Sequence, residues 1–161
     1  MTTPPPAQWW LEAYVATACE LEGETRYRPR NERVEAYEGP IWRFVQQRVG
    51  ATFRENRSVL EAGDNWFSGA FLLETVPSVI YILMRHGHDP EEAIVRAVND
   101  TKDNDTVAAI VGAAVGALHG RQGLPSRWID NLLGRTTDKD DGRIFELLDS
   151  AAKKWVKANE R

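Results

Sequence analysis

Several things are scarce in this sequence, and each scarcity excludes something. A single cysteine, Cys19, cannot close an internal disulfide, so a reducing compartment is expected. The longest apolar run, Val107 to Leu118, is twelve residues, too short to span a bilayer. The Thr- and Pro-rich start, Met1 to Gln8, lacks the basic opening and apolar run of a signal peptide. These features lead to the expectation of a cytoplasmic protein with no membrane partner. No basic excess exists either: the formal charge is −4, with both signs interspersed, which argues against a nucleic-acid partner. No segment alternates apolar and polar residues with a period of two, so strands are not expected.

What is present is helical. A chain of 161 residues can bury roughly 68–70% of its unfolded surface and needs no structural metal to fold. The reading is an all-α, compact helical bundle: a flexible Pro-rich leader over 1–8, then a single helical domain over 9–161. Helical spacing of Leu11, Tyr14, Val15, Ala18 and Cys19 predicts a helix from Trp9 to Leu21, stopped by Gly23, with Cys19 a buried thiol on its apolar stripe. Residues 24–40, broken by Pro29 and Gly39-Pro40, read as a loop. A second helix is expected from Ile41 to Val49, ending at Gly50, and residues 51–66 are ambiguous. Ala70 to His86 is apolar on nearly every side and reads as a buried helix, kinked at Pro77. Asp89-Pro90-Glu91-Glu92 is a helix start, with Asp as N-cap and Pro at the first helical position. Asp100 to Asp105 reads as a tight polar loop. Thr106 to His119 reads as a second buried helix, whose Gly112, Gly116 and Gly120 would let another backbone approach. A short helix over Ser126–Leu133 and an amphipathic one over Arg143–Asn159 complete the chain.

The segment with chemical character is Asp103-Asn104-Asp105-Thr106. Two carboxylates and a hydroxyl within four residues are hard oxygen ligands, suited to Mg²⁺ or Mn²⁺. The rival reading is that Asp105 or Asn104 simply caps the following helix. Other candidates have bland readings: His86 and His88 as helix-end partners, Trp9, Trp10 and Trp42 as packing rather than adenine stacking, and Asp138 to Gly142 as a solvated turn. Glu12 and Glu20 have no identifiable partner.

The stretch from Asn65 to Leu133 resembles the C-terminal part of the ADP-ribosylglycohydrolase family. The resemblance rests on Phe67-Ser68-Gly69, the apolar helix behind it, Asp103-Asn104-Asp105-Thr106-Val107-Ala108-Ala109-Ile110-Val111-Gly112-Ala113, and Leu124-Pro125-Ser126-Arg127-Trp128. It implies Mg²⁺ (or Mn²⁺) held by Asp103, Asp105 and Thr106, with Ser68, Gly69 and Asn104 beside an ADP-ribose ligand. It implies cleavage of the bond joining ADP-ribose to a protein side chain. Two departures stand out. Thr101-Lys102 replaces the two glycines that usually precede the acidic tetrad. The family's upstream T-D-D-like motif has no counterpart, since the first aspartate of the sequence is Asp64. Two functions are therefore expected in competition: a hydrolase whose site is completed by a partner, or a non-catalytic relic that binds ADP-ribose or another protein. Apolar central helices also imply self-association, as a homodimer or with a complementary N-terminal-half chain.

Overall fold

The computed structural model describes residues 3–130 and 143–159, which form two compact units, Met1–Gly123 and Leu124–Arg161. In the first, α1 (Ala7–Leu21), α2 (Ile41–Arg54), α3 (Val59–Gly63), α4 (Leu72–His86), α5 (Pro90–Asp100) and α6 (Asn104–His119) are followed by a 3₁₀ turn, Arg121–Gly123. The second holds α7 (Ser126–Ile129) and α8 (Arg143–Asn159). The fold is all-α; among the described residues the one β feature is an isolated bridge, Tyr27 to Gly39. No helix among them is long and apolar enough to cross a membrane.

Helix α4 is the centre of the first unit and packs on α1, α2, α3, α5 and α6. Its Leu73, Tyr81 and Ile82 are sealed from solvent with Phe44, Val45 and Val49 of α2 and Trp66. Fully burying each such side chain stabilises the fold by roughly 1.5–3 kcal/mol. Helix α2 outruns its expected end, Val49, by five residues, continuing to Arg54. Gly50, expected to terminate it, is instead a buried notch: a Cβ there would sit 3.6 Å from Leu11 Cδ2 of α1. A Cβ at that distance would be in ordinary contact, so the glycine keeps its helix-propensity cost of about 1 kcal/mol. No local side chain caps α2; Glu22, just past α1, accepts from the Ile41 and Trp42 amides at 2.6 and 3.0 Å. In the ambiguous stretch, Ser58 and Glu61 form a reciprocal capping box that opens α3.

Three expectations need correction. Cys19 is exposed, not buried, because α1 turns Leu11 inward and leaves that flank to solvent. Helix α6 is buried on one face only, through Val107, Val111 and Val115, while Ile110 is 44% exposed. The reason is that its packing partners among the described helices of this unit are α4 and α5, which meet the valine face. No backbone closes on its glycines: a Cβ on Gly112 would meet only Ile94 at 3.9 Å, and one on Gly116 nothing. Asp138 to Gly142 lies outside the described residues.

Candidate functional site

Polar residues inside the apolar α4 build the site. Glu74, Thr75 and Ser78 are all buried. A buried polar group needs a partner, and Thr75 and Ser78 find theirs toward the turn that precedes the helix. The Thr75 hydroxyl donates to the Gly69 carbonyl at 3.0 Å. The Trp66 indole donates to Ser78 Oγ at 2.9 Å, and Ser78 donates onward to the Glu74 carbonyl at 2.7 Å. Between these anchors the chain turns through two consecutive left-handed residues, Phe67 (φ 80°) and Ser68 (φ 48°). Neither is glycine, so each costs of order 1–3 kcal/mol and is held by its surroundings. Gly69 fills the remaining space: a Cβ there would lie 2.5 Å from Glu74 Oε2 and 3.2 Å from the Phe67 ring.

This strained turn is tied to the acidic tetrad. The Ser68 carbonyl accepts from both the Lys102 and Asp103 amides, at 3.0 and 3.1 Å. The Thr101 hydroxyl, donating to the Ala97 carbonyl at 2.6 Å, closes off α5 just before. Ser68, Gly69 and Asp103 are thus brought together through backbone, although 34 residues separate Asp103 from Gly69 in the chain. Asp103 occupies the N-cap position of α6 with φ −98° and ψ 63°, yet its side chain makes no capping bond. The cap expected of Asp105 or Asn104 is not formed either, because both lie inside the first turn of the helix. Asn104, Asp105 and Thr106 are exposed at that helix entry. The Lys102 ammonium, which would oppose a cation at the tetrad, donates instead to the Phe67 carbonyl at 3.1 Å and rests 4.3 Å over the Phe67 ring.

The donor set fits a hard divalent ion in part. Two carboxylates and a hydroxyl, without side-chain bonds of their own among the described residues, are oxygen ligands of the right kind. Among those residues no three His, Cys, Asp or Glu side chains gather into a metal-holding group, so the remaining ligands must come from water or elsewhere. His86, His88 and His119, the protein's three histidines, meet instead around Gly87, whose carbonyl lies 2.8 Å from His119 Nε2. Trp66 is buried core, whereas Trp9 is 46% exposed and packs edge-on against Trp10 at 5.1 Å.

Missed in the sequence was Glu74, with its partner Arg30. The Glu74 carboxylate, almost wholly buried, pairs with the Arg30 guanidinium at 3.1 Å, and that guanidinium stacks on Phe71 at 4.5 Å. The signal was available: one glutamate in a run of apolar helix must find a cation or a wet cavity.

Taken together, the described residues of the first unit form an all-helical body whose acidic helix entry is pinned by backbone hydrogen bonds to a strained serine turn. The chain belongs to the ADP-ribosylglycohydrolase family, whose defining sequence pattern matches residues 7–160. An uncharacterized protein of the archaeon Archaeoglobus fulgidus is 32% identical over 124 residues. That match covers 75% of this chain and 39% of the archaeal protein, so the chain spans well under half of its relative's length. No solved structure matches the chain.

Proposed function

We propose that this chain supplies part of an ADP-ribose-processing site, with Asp103, Asp105 and Thr106 as ligands to Mg²⁺ (or Mn²⁺) and Ser68, Gly69 and Asn104 lining the ligand. The observation that carries this reading is the Asp103 carboxylate, held at the helix entry by a backbone clamp and not used as a cap. A divalent ion bound there would grip ribose hydroxyls and orient a water beside the scissile carbon. The substrate class is a protein carrying ADP-ribose on a side chain.

The tetrad alone is an incomplete ligand set, and we propose that a second polypeptide completes it, either another copy of this chain or a complementary N-terminal-half chain. The outward face of α6 supports that reading. Ala109, Ile110, Ala113 and Ala117 are exposed along it, the helix bears no charge from Thr106 to Leu118, and the face begins at the tetrad. Uncharged apolar helix faces are ordinarily covered.

A second reading, a non-catalytic ADP-ribose-binding or protein-interaction module, is favoured by the Lys102 that directly precedes the acidic tetrad in place of a glycine. Thermal melting tests the metal. Mg²⁺ is expected to raise the melting temperature of the native protein and not of Asp103→Ala/Asp105→Ala; equal shifts in both would remove the tetrad as a metal site. Incubation with an ADP-ribosylated arginine or serine peptide and Mg²⁺ separates the two functions. Released ADP-ribose, alone or with a supplied N-terminal half, supports the hydrolase, and its absence in both cases leaves the binding module.

A further inference from the structure

Helix α1 carries Glu12 and Glu20, both exposed, and no basic residue. Along one flank of it runs an apolar groove of about 540 Å³. Ala13, Tyr14, Ala18 and Leu21 of the helix line it with Ile41, the first residue of α2, and Leu21 is 80% exposed. Thr17 is an exposed residue midway along the lining, and the one charge among the lining residues is Glu22. The Glu22 carboxylate is turned to the Ile41 and Trp42 amides, which it caps. Glu20 follows Thr17 by three residues and so borders the same face, whereas Glu12, two residues before Tyr14, lies away from it. The last turn of α1 holds no cation to offset its partly negative carbonyl end. The nearest cations in the chain are engaged elsewhere: Arg26, in the arginine-bearing loop over 24–40, pairs with Glu38, and Arg43 stacks on Trp42.

We propose that this groove docks an amphipathic helix of another protein, one that carries lysines or arginines beside its apolar face. Charge and dimensions together select that occupant. The floor is apolar and its open edge has Glu20 and the carbonyl end of α1, so a partner gains by bringing both grease and cations. From Ala13 to Leu21 the groove follows the helix for about 12 Å, two turns. Apolar anchors at i, i+3 or i+4, and i+7 of a partner helix span about 10.5 Å, which fits that length. Burial, aided by the charge of Glu22, pushes the Tyr14 hydroxyl up, so it stays a protonated donor among the lining residues. An anionic helix would meet Glu20 and the helix end with like charge, which opposes docking. The proposal is independent of the ADP-ribose reading and needs neither the acidic tetrad nor a metal.

Fluorescence anisotropy tests it, with the whole chain titrated in EDTA into a labelled synthetic leucine–lysine peptide that forms an amphipathic helix. Two companion peptides are a leucine–glutamate counterpart and a leucine–lysine peptide of the same composition with its order scrambled. Only the first is expected to bind, and more weakly as salt is raised. Thr17→Arg, which sets a cation in the groove at an exposed position, is expected to weaken binding about tenfold or more with the melting temperature unchanged. Glu20→Gln is expected to weaken it about two- to fivefold, and Glu12→Gln, on the other flank, to leave it as it was. Native affinity in Thr17→Arg, or equal binding of the scrambled or glutamate peptide, would overturn the proposal. Peptide binding that weakens as the protein is concentrated would give the groove to a second copy, and no binding at all would give it to another segment of the chain or to solvent. Either result also overturns it.

Discussion

Replacing Gly69 with alanine tests whether the strained turn, the buried glutamate and the arginine loop form one coupled unit. The new Cβ would sit 2.5 Å from Glu74 Oε2, where ordinary contact begins near 3.4 Å, so the carboxylate or the turn must give by about 0.9 Å. A free glutamate would swing aside at little cost. Glu74 is not free: its side chain is 5% exposed and its Oε2 holds Arg30 at 3.1 Å. On the other side the Phe67 ring stands 3.2 Å away. Overpacking of this kind costs roughly 1–3 kcal/mol. For a domain of this size each kcal/mol moves the melting temperature by about 2–4 °C, so Gly69→Ala is expected to melt roughly 2–12 °C lower. Differential scanning calorimetry measures that drop, and a double-mutant cycle locates it. Because the alanine already disturbs the Arg30 pair, Arg30→Ala added to Gly69→Ala should cost less than Arg30→Ala alone, by about 0.5 kcal/mol or more. Full additivity, or an unchanged melting temperature in Gly69→Ala, would refute the coupling.

Other consequences are equally open to measurement. Ser58→Ala removes the N-cap of α3 and is expected to cost about 1 kcal/mol in urea denaturation. The Ser58 hydrogen bonds hold the Glu61 carboxyl below its usual 4.5, so that contribution is complete above 4.5 and lost as pH falls through the lower folded value; Ser58→Ala should therefore flatten the acid limb of stability. Burial pulls the His86 imidazole below its usual 6.5. The unfolded chain then binds the extra proton first, so stability rises with pH up to about 6.5 and falls on acidification; His86→Gln is expected to remove that part of the slope in pH-dependent melts. Ile110→Glu, on the outward face of α6, should leave the fold intact and abolish self-association in light scattering. A native chain that is already monomeric at low micromolar concentration would sink the partner-covered reading of that face.

Much of this architecture can be read from the sequence, for physical reasons. Asp89-Pro90 opens α5 as read, with the Asp89 side chain accepting from the Glu91 and Glu92 amides, because capping is a local interaction. The Arg143–Asn159 helix has the expected bounds, its apolar residues repeating at helical spacing. What stayed hidden depends on distant partners. Gly50 reads as a stop only until Leu11 of α1 is laid against it, and α2 reads as uncapped until Glu22 arrives from another helix. Helix α6 reads as buried because composition reports what a helix is made of, not how many neighbours it has. At the candidate site the acidic tetrad is visible as a motif, and Ser68 and Gly69 as part of the resemblance. The clamp joining them runs through backbone atoms, which carry no side-chain signature.

The carboxylate of Glu22 has one more implication. Situated just beyond α1, it neutralises the amide end of α2 in place of any residue the second helix could offer itself. The opening fifteen-residue helix is therefore a lid and a plug at once. A shortened chain beginning at Gly23 would forfeit the Leu11 side chain that lies beside Gly50 and the anion that quiets two naked N–H groups. Trimming there would unsettle the very helix against which α4 is braced.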